Sequence, residues 1–171
     1  MERFDDEILL RESETNLQYA VVGYNTSLYT NIFSDPDPIT GHSPIVGWAY
    51  DGNPIYGPYG YRDAFDSNSS VQILDTGYDL DVSSVSNRPS NFSNGFFVND
   101  YKFNDSGHLD KNNGRFCKTP EYPNGVYAYF VGVTTGTQGN LVPKFPYFIG
   151  DTYRSKPVSY THLTLPTTML V

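Results

Sequence analysis

Val126-Tyr127-Ala128-Tyr129-Phe130-Val131-Gly132-Val133, entered through the turn residues Pro123-Asn124-Gly125, is the stretch whose reading decides the fold. Its β-branched and aromatic content, bounded by a turn, reads as a strand. Alternation places Val126, Ala128 and Phe130 on one face and Tyr127, Tyr129, Val131 and Val133 on the other. Both faces are apolar. A strand covered on both sides fits that pattern, since a half-exposed edge strand shows polar residues at every second position.

Working outward, the same grammar repeats. Further strands are expected at Ile45 to Tyr50, Pro54 to Tyr56, Val71 to Leu74, Tyr78 to Val82, Gly95 to Phe103, Arg115 to Cys117 and Phe145 to Ile149, with another in Leu17 to Tyr24. Between them lie Asp51-Gly-Asn-Pro54, Asp66-Ser-Asn-Ser-Ser70, Asn112-Asn-Gly114 and Thr134 to Asn140, rich in residues that accept or preset turn dihedrals. Beyond the first fourteen residues no segment sustains helical periodicity without a Gly or Pro interrupting it. The expected fold is all-β: a compact sandwich or barrel-like domain of many short strands joined by Gly-, Pro- and Asn-rich turns, with little helix.

The chain has 171 residues, 11 Lys+Arg against 19 Asp+Glu, and a formal net charge of -8. That length suits one domain able to bury a core without disulfides or metal. The one cysteine, Cys117, has no partner for an internal bridge. The acidic balance repels phosphate backbones and argues against nucleic acid as a partner. No run of apolar residues is long enough to span a membrane, and Met-Glu-Arg-Phe-Asp-Asp lacks the pattern of a signal peptide.

The expected organisation has three parts. Residues 1–40 are expected to form an N-terminal strand segment, or the end of a preceding region, with the linker-like Ser34-Asp-Pro-Asp-Pro38, whose pre-proline residues favour extended chain. Residues 41–157 form the main domain. Residues 158–171 carry no charge, Gly or Asn, and Val158 to Thr167 resembles a translated transposase sequencing adapter, so the tail is set aside as an expected artefact. On that reading the chain is a fragment of a longer protein.

Three dense patches carry a resemblance. They are Gly41-His-Ser-Pro-Ile-Val-Gly-Trp-Ala-Tyr-Asp-Gly-Asn-Pro-Ile-Tyr-Gly-Pro-Tyr-Gly-Tyr61, Leu109-Asp-Lys-Asn-Asn-Gly-Arg115 continuing to Phe130, and Phe145-Pro-Tyr-Phe-Ile-Gly150. In this order they resemble the YHYH domain family, named for a Tyr-His-Tyr-His signature. With Thr119-Pro-Glu-Tyr-Pro-Asn-Gly125 and Pro143 to Arg154, the chain is also similar to versions of this domain in structural proteins of marine tailed phages. At the naming motif it departs: Ala128 and Phe130 of Tyr127-Ala-Tyr-Phe130 stand where the resemblance implies histidines. Any metal or proton chemistry of those imidazoles does not transfer.

The residues singled out as binding or turn-bracing candidates are His42, Trp48, Asp51, Asn53, Tyr56, Tyr59, Asp110, Asn113, Arg115, Tyr127 and Tyr129. Asp51-Gly52-Asn53-Pro54 reads as a turn whose carboxylate accepts backbone N–H bonds. The tyrosines Tyr50, Tyr56, Tyr59 and Tyr61 form an aromatic corner whose hydroxyls need partners. Asp110 and Arg115 are expected to clamp across the Asn-Asn-Gly turn.

Sharper chemistry is less well supported by these residues. Asp110, Asn112 and Glu121 match three positions of an EF-hand loop, but Arg115 stands where its glycine belongs. A different cation site, calcium-like and using Asp51, Asp100 or Asp110, stays open. Zinc spacings, phosphate loops and nucleophile elbows are missing from the sequence. Cys117 with His42 or His108 reads as a core thiol rather than a nucleophile. An enzyme would need His42, Asp51 and Asp110 to converge. The expected function is a non-catalytic structural or interaction module of a virion or tail-associated protein, located in the virion or outside the cell, without cofactor. Its expected partners are other virion proteins or host-surface glycans, with no nucleic acid and no membrane. The alternative is an extracellular carbohydrate- or cation-binding module in which Trp48, Tyr59 and Tyr61 stack on sugar rings.

Overall fold

The computed structural model describes residues 9–13, 16–20, 41–85 and 87–156. The expected linker at 34–38 and the expected adapter tail lie outside them. Twelve short strands and two single 3-10 turns make up the regular structure, with no α-helix among the described residues. No described helix is long and apolar enough to cross a membrane. The fold is all-β, and no sheet among the described residues closes into a barrel.

Strands β1 (Leu9–Ser13) and β2 (Asn16–Ala20) pair antiparallel as a hairpin. The centre of the main domain is a mixed four-stranded sheet in the order β3-β4-β10-β9. Here β3 is Ile45–Trp48, β4 Pro54–Tyr56, β9 Gly114–Cys117 and β10 Val126–Phe130. Strand β10 runs parallel to β4 and antiparallel to β9, so the decisive stretch occupies an interior position. Three two-stranded ribbons surround it: β5 (Tyr59–Tyr61) with β6 (Val71–Ile73), β7 (Tyr78–Leu80) with β8 (Tyr101–Phe103), and β11 (Val133–Thr135) with β12 (Leu141–Pro143).

The two apolar faces of β10 each meet a core. Ala128 and Phe130 are fully buried with Tyr56, Leu74, Leu109 and Cys117, and Val126, Ile45 and Ala64 pack against them. Tyr127 and Tyr129 lie on the opposite side with Ala49, against Ile55, Ile149 and Tyr153. Val131 and Val133 enter a third cluster with Val46, Ile73 and Leu141. The strand ends just past Phe130: Val131 N–H still donates to Tyr56 O of β4 at 3.0 Å, whereas Gly132 N–H leaves the ladder for Tyr147 O at 2.8 Å.

Two expected strands fold otherwise. Only Tyr101–Phe103 of the stretch 95–103 is extended. Its first half is wound around the Asp100 carboxylate, which draws in the N–H groups of Gly95 and Phe97. Phe145 to Ile149 is a turn, with a cis Phe145–Pro146 peptide, Tyr147 at φ +71° and Tyr147 N–H donating to Lys144 O at 2.9 Å. Local bonds take the groups a ladder would have used.

Candidate functional site

The parity of β10 positions the chemistry. Tyr127 and Tyr129, two residues apart, send their side chains to the same face, where their rings meet edge to face at 5.3 Å. The Tyr129 hydroxyl donates to Asp51 Oδ2 at 2.7 Å, and the Tyr127 hydroxyl lies 2.9 and 3.0 Å from the two oxygens of Asp110. The Tyr-x-Tyr pair at the end of the second patch thus grips the aspartate at the start of its own patch and the one in the first patch.

Asp51 heads a tight turn in which Gly52, at φ +85°, occupies the left-handed region that glycine adopts freely. Its carboxylate also accepts the Asn53 side chain at 2.9 Å, the Asn53 N–H at 3.2 Å and the Ser155 N–H at 3.2 Å. Burial works against the charged form, but the bonds from Tyr129, Asn53 and Ser155 outweigh it and hold Asp51 below its ordinary pKa. Tyr129 oxygen in turn accepts the Arg154 N–H at 2.7 Å.

Asp110 closes the second turn. Its Oδ1 accepts Asn112 N–H at 2.9 Å and Gly114 N–H at 3.3 Å, while its own N–H donates to Gly114 O at 2.8 Å. Asn113, fully buried at φ +64°, donates from Nδ2 to Phe130 O at 2.8 Å and Phe148 O at 3.1 Å. Asn112 donates to Thr152 O and Oγ1 at 2.6 and 2.8 Å. Residues 150–156 therefore form a strap fastened to both aspartate turns.

The expected Asp110–Arg115 clamp does not form. Arg115 pairs with Ala128 across the ladder, so it shares the Ala128 and Phe130 face, whereas Asp110 serves Tyr127 on the other. Arg115 instead donates from Nη2 to Tyr61 O and lies 5.7 Å over the Phe130 ring.

On that same face His42 is fully buried. Its Nδ1 donates to Ser43 O at 2.7 Å, which fixes the tautomer, and its ring sits 4.9 Å from Tyr61, 5.1 Å from Tyr56 and 6.0 Å from Phe130. The Tyr56 hydroxyl donates to Glu121 Oε2 at 2.8 Å and lies 2.9 Å from Thr119 Oγ1. His42 thus lies across β10 from Asp51 and Asp110, and the three do not converge. Cys117 is buried, and burial pushes its thiol up. Tyr61 is buried and Tyr59 half-buried, its N–H bonded to Ser43 Oγ, but Trp48 and Tyr50 are 57% and 63% exposed.

The sequence reading missed the strap residues Thr152, Arg154 and Ser155, which look like ordinary loop positions. It also missed the partner of Asp100. That carboxylate is fully buried and receives Arg88 in a two-point ion pair at 2.8 and 3.0 Å. The available signal was Arg88, the one charge in residues 83–99. Among the described residues no three His, Cys, Asp or Glu side chains gather so as to hold a metal ion.

Two titrations check these placements. Bonds from Arg88 hold Asp100 down at about 2 against an ordinary 3.8, in spite of burial. A depressed carboxylate contributes stability that is complete above the unfolded pKa and is lost as pH falls toward the folded one. The Gly95 and Phe97 amide resonances are therefore expected to hold their positions at mildly acid pH and to move together only as pH drops below about 4 toward 2. A midpoint in the ordinary aspartate range would contradict the latch. Burial, with the neighbouring carboxylates, raises the hydroxyls of Tyr56, Tyr127 and Tyr129 far above the ordinary tyrosine value. These contributions favour the fold below the unfolded tyrosine pKa and are lost at higher pH. Ultraviolet titration of the native protein at about pH 11 is expected to leave at least these three phenols unionised, to be recovered on denaturation.

A family model described as YHYH protein matches residues 18–142. No curated protein and no solved structure matches the chain.

Proposed function

The chain belongs to the YHYH protein family, and from that premise we propose that it is a non-catalytic structural and interaction module of a longer virion or tail-associated protein. One observation carries the reading. The two aspartates and the Asn113 amide nitrogen of the signature patches are engaged inside the fold: Asp51 by Tyr129 and Asn53, Asp110 by Tyr127, and Asn113 Nδ2 by two backbone carbonyls. Groups already satisfied by fixed partners brace loops, and a reacting centre needs some held in reserve. The virion assignment rests on the phage-like form of the patches around Thr119 and Pro143. Its partners are then other virion proteins, met through an acidic surface. Sequencing the uninterrupted reading frame and its neighbours tests it: capsid or tail genes beside it are expected, and a setting of metabolic genes alone would remove the proposal.

A second reading has its own support in the exposed rings of Trp48 and Tyr50, which flank the Asp51 turn and can stack on sugar rings. A glycan array with the wild type and Trp48→Ala decides between the two. Binding that disappears with the indole favours the sugar module, and silence across the array removes it. The cation variant of this reading requires a calcium-dependent rise in melting temperature, because Asp51 would have to exchange protein donors for the ion.

A further inference from the structure

We infer that the loop 88–100 presents an aromatic knob as the docking surface for a partner protein whose apolar recess carries a basic rim. Phe92, Phe96 and Phe97 form a mutual cluster with ring separations of 4.7, 5.2 and 5.1 Å. The cluster faces outward: Phe96 is 64% and Val98 60% exposed, with Leu80 exposed beside Gly95. Loops that carry apolar side chains ordinarily turn them inward, and contiguous exposed apolar surface marks an interaction site.

What sets this loop apart is how firmly it is held. The buried Asp100 carboxylate takes Arg88 at two points and the N–H groups of Gly95 and Phe97 at 2.9 and 3.2 Å. Arg88 reaches back to the carbonyls of Pro89 and Phe92 at 3.3 and 2.7 Å, and to that of Ser93. Its guanidinium stands 5.4 Å over the Phe97 ring. The latch fixes the backbone beneath the rings, so little ordering entropy is left to lose when a partner arrives.

Charge selects the occupant. Residues 89–99, Pro-Ser-Asn-Phe-Ser-Asn-Gly-Phe-Phe-Val-Asn, hold no charged side chain, and Arg88 and Asp100 cancel each other. The knob is an aromatic centre with an uncharged rim of Ser and Asn, the composition of an interface core. Around it lies a chain of net charge -8, which repels a second copy and an anionic lipid surface alike and draws a basic one. The inference rests on the reading of the chain as an interaction module and specifies the surface it uses.

Panning a random peptide library against the full chain tests it, followed by fluorescence anisotropy on the most enriched synthetic peptide. Enriched sequences are expected to combine aromatic or aliphatic residues with Lys or Arg. Phe96→Ser should weaken binding about tenfold or more, the loss typical of a central aromatic anchor. Arg88→Ala should weaken it while leaving Phe96 in place. Phe116→Ser, which removes an aromatic of similar exposure on β9, should change binding by no more than about twofold. Enrichment of acidic peptides, or equal losses for Phe116→Ser and Phe96→Ser, overturns the inference. So does a wild-type dimer in sedimentation that Phe96→Ser dissolves, which would make a second copy the occupant. Phe96-dependent cosedimentation with phosphatidylglycerol vesicles would do the same in favour of lipid. None of these outcomes bears on the gene neighbourhood, so the virion reading stands or falls separately.

Discussion

Asn113→Ala is expected to destabilise the protein by about 3–5 kcal/mol, and Asn113→Gly by only about 2–3 kcal/mol. Two costs are separable at this residue. The side chain is fully buried and its Nδ2 serves the carbonyls of Phe130 and Phe148, one at the end of β10 and one in the turn after β12. Deleting it strands the buried Phe130 carbonyl, at about 1–3 kcal/mol, and takes a second bond from the part-buried carbonyl of Phe148. The backbone stands at φ +64°, which asparagine tolerates and alanine does not, adding about 1–2 kcal/mol. Glycine removes the second cost and keeps the first. Urea unfolding of the two variants gives the comparison. If glycine proves as harmful as alanine, the dihedral carries no weight, and if both lose little, the two carbonyl bonds are not what holds the turn.

Gly150→Ala is the other large effect, expected at about 3 kcal/mol. A methyl group there would come within 2.1 Å of Lys111 O and 3.1 Å of Asn112 Cα. Both are backbone atoms of the Asp110 turn and cannot rotate away. Gly150 N–H also donates to Asn112 O at 3.0 Å, so relief of the clash displaces the beginning of the strap. The Asn112–Thr152, Tyr129–Arg154 and Asp51–Ser155 bonds downstream should loosen together. Rapid proteolytic cleavage within residues 151–156 is the expected signature. Gly139→Ala provides the contrast, since its added carbon meets nothing within 4 Å and only φ +78° resists it, at about 1 kcal/mol. Equal losses at the two positions would refute the steric argument.

How much of this was legible beforehand follows from how local each signal is. The strand Val126–Phe130 and its two buried faces were readable because alternation needs only neighbouring residues. The family was readable because its patches are contiguous. The Asp51 turn was readable as a turn, yet its Tyr129 partner lies 78 positions away, and no spacing rule connects them. The expected Asp110–Arg115 clamp fails because nearness in sequence is not nearness in space: Gly114 and Arg115 begin a strand whose parity sends the guanidinium to the far face. Phe145 to Ile149 has strand composition, but Tyr147 at φ +71° bends it into a turn. Among the tyrosines of the first patch, sequence did not separate the buried Tyr56 and Tyr61 from the exposed Tyr50, because enclosure depends on what the rest of the chain lays over them.

The strap also sets a timetable. Asp51 is bonded by Ser155, 104 positions later, and Asn112 by Thr152, 40 positions later. During synthesis neither junction can close until the last of the domain has left the ribosome. Such distant pairings raise the contact order, and chains rich in them fold slowly. A nascent chain halted before residue 150 should therefore remain open to chaperones and proteases, although the strands of its central sheet have already been made.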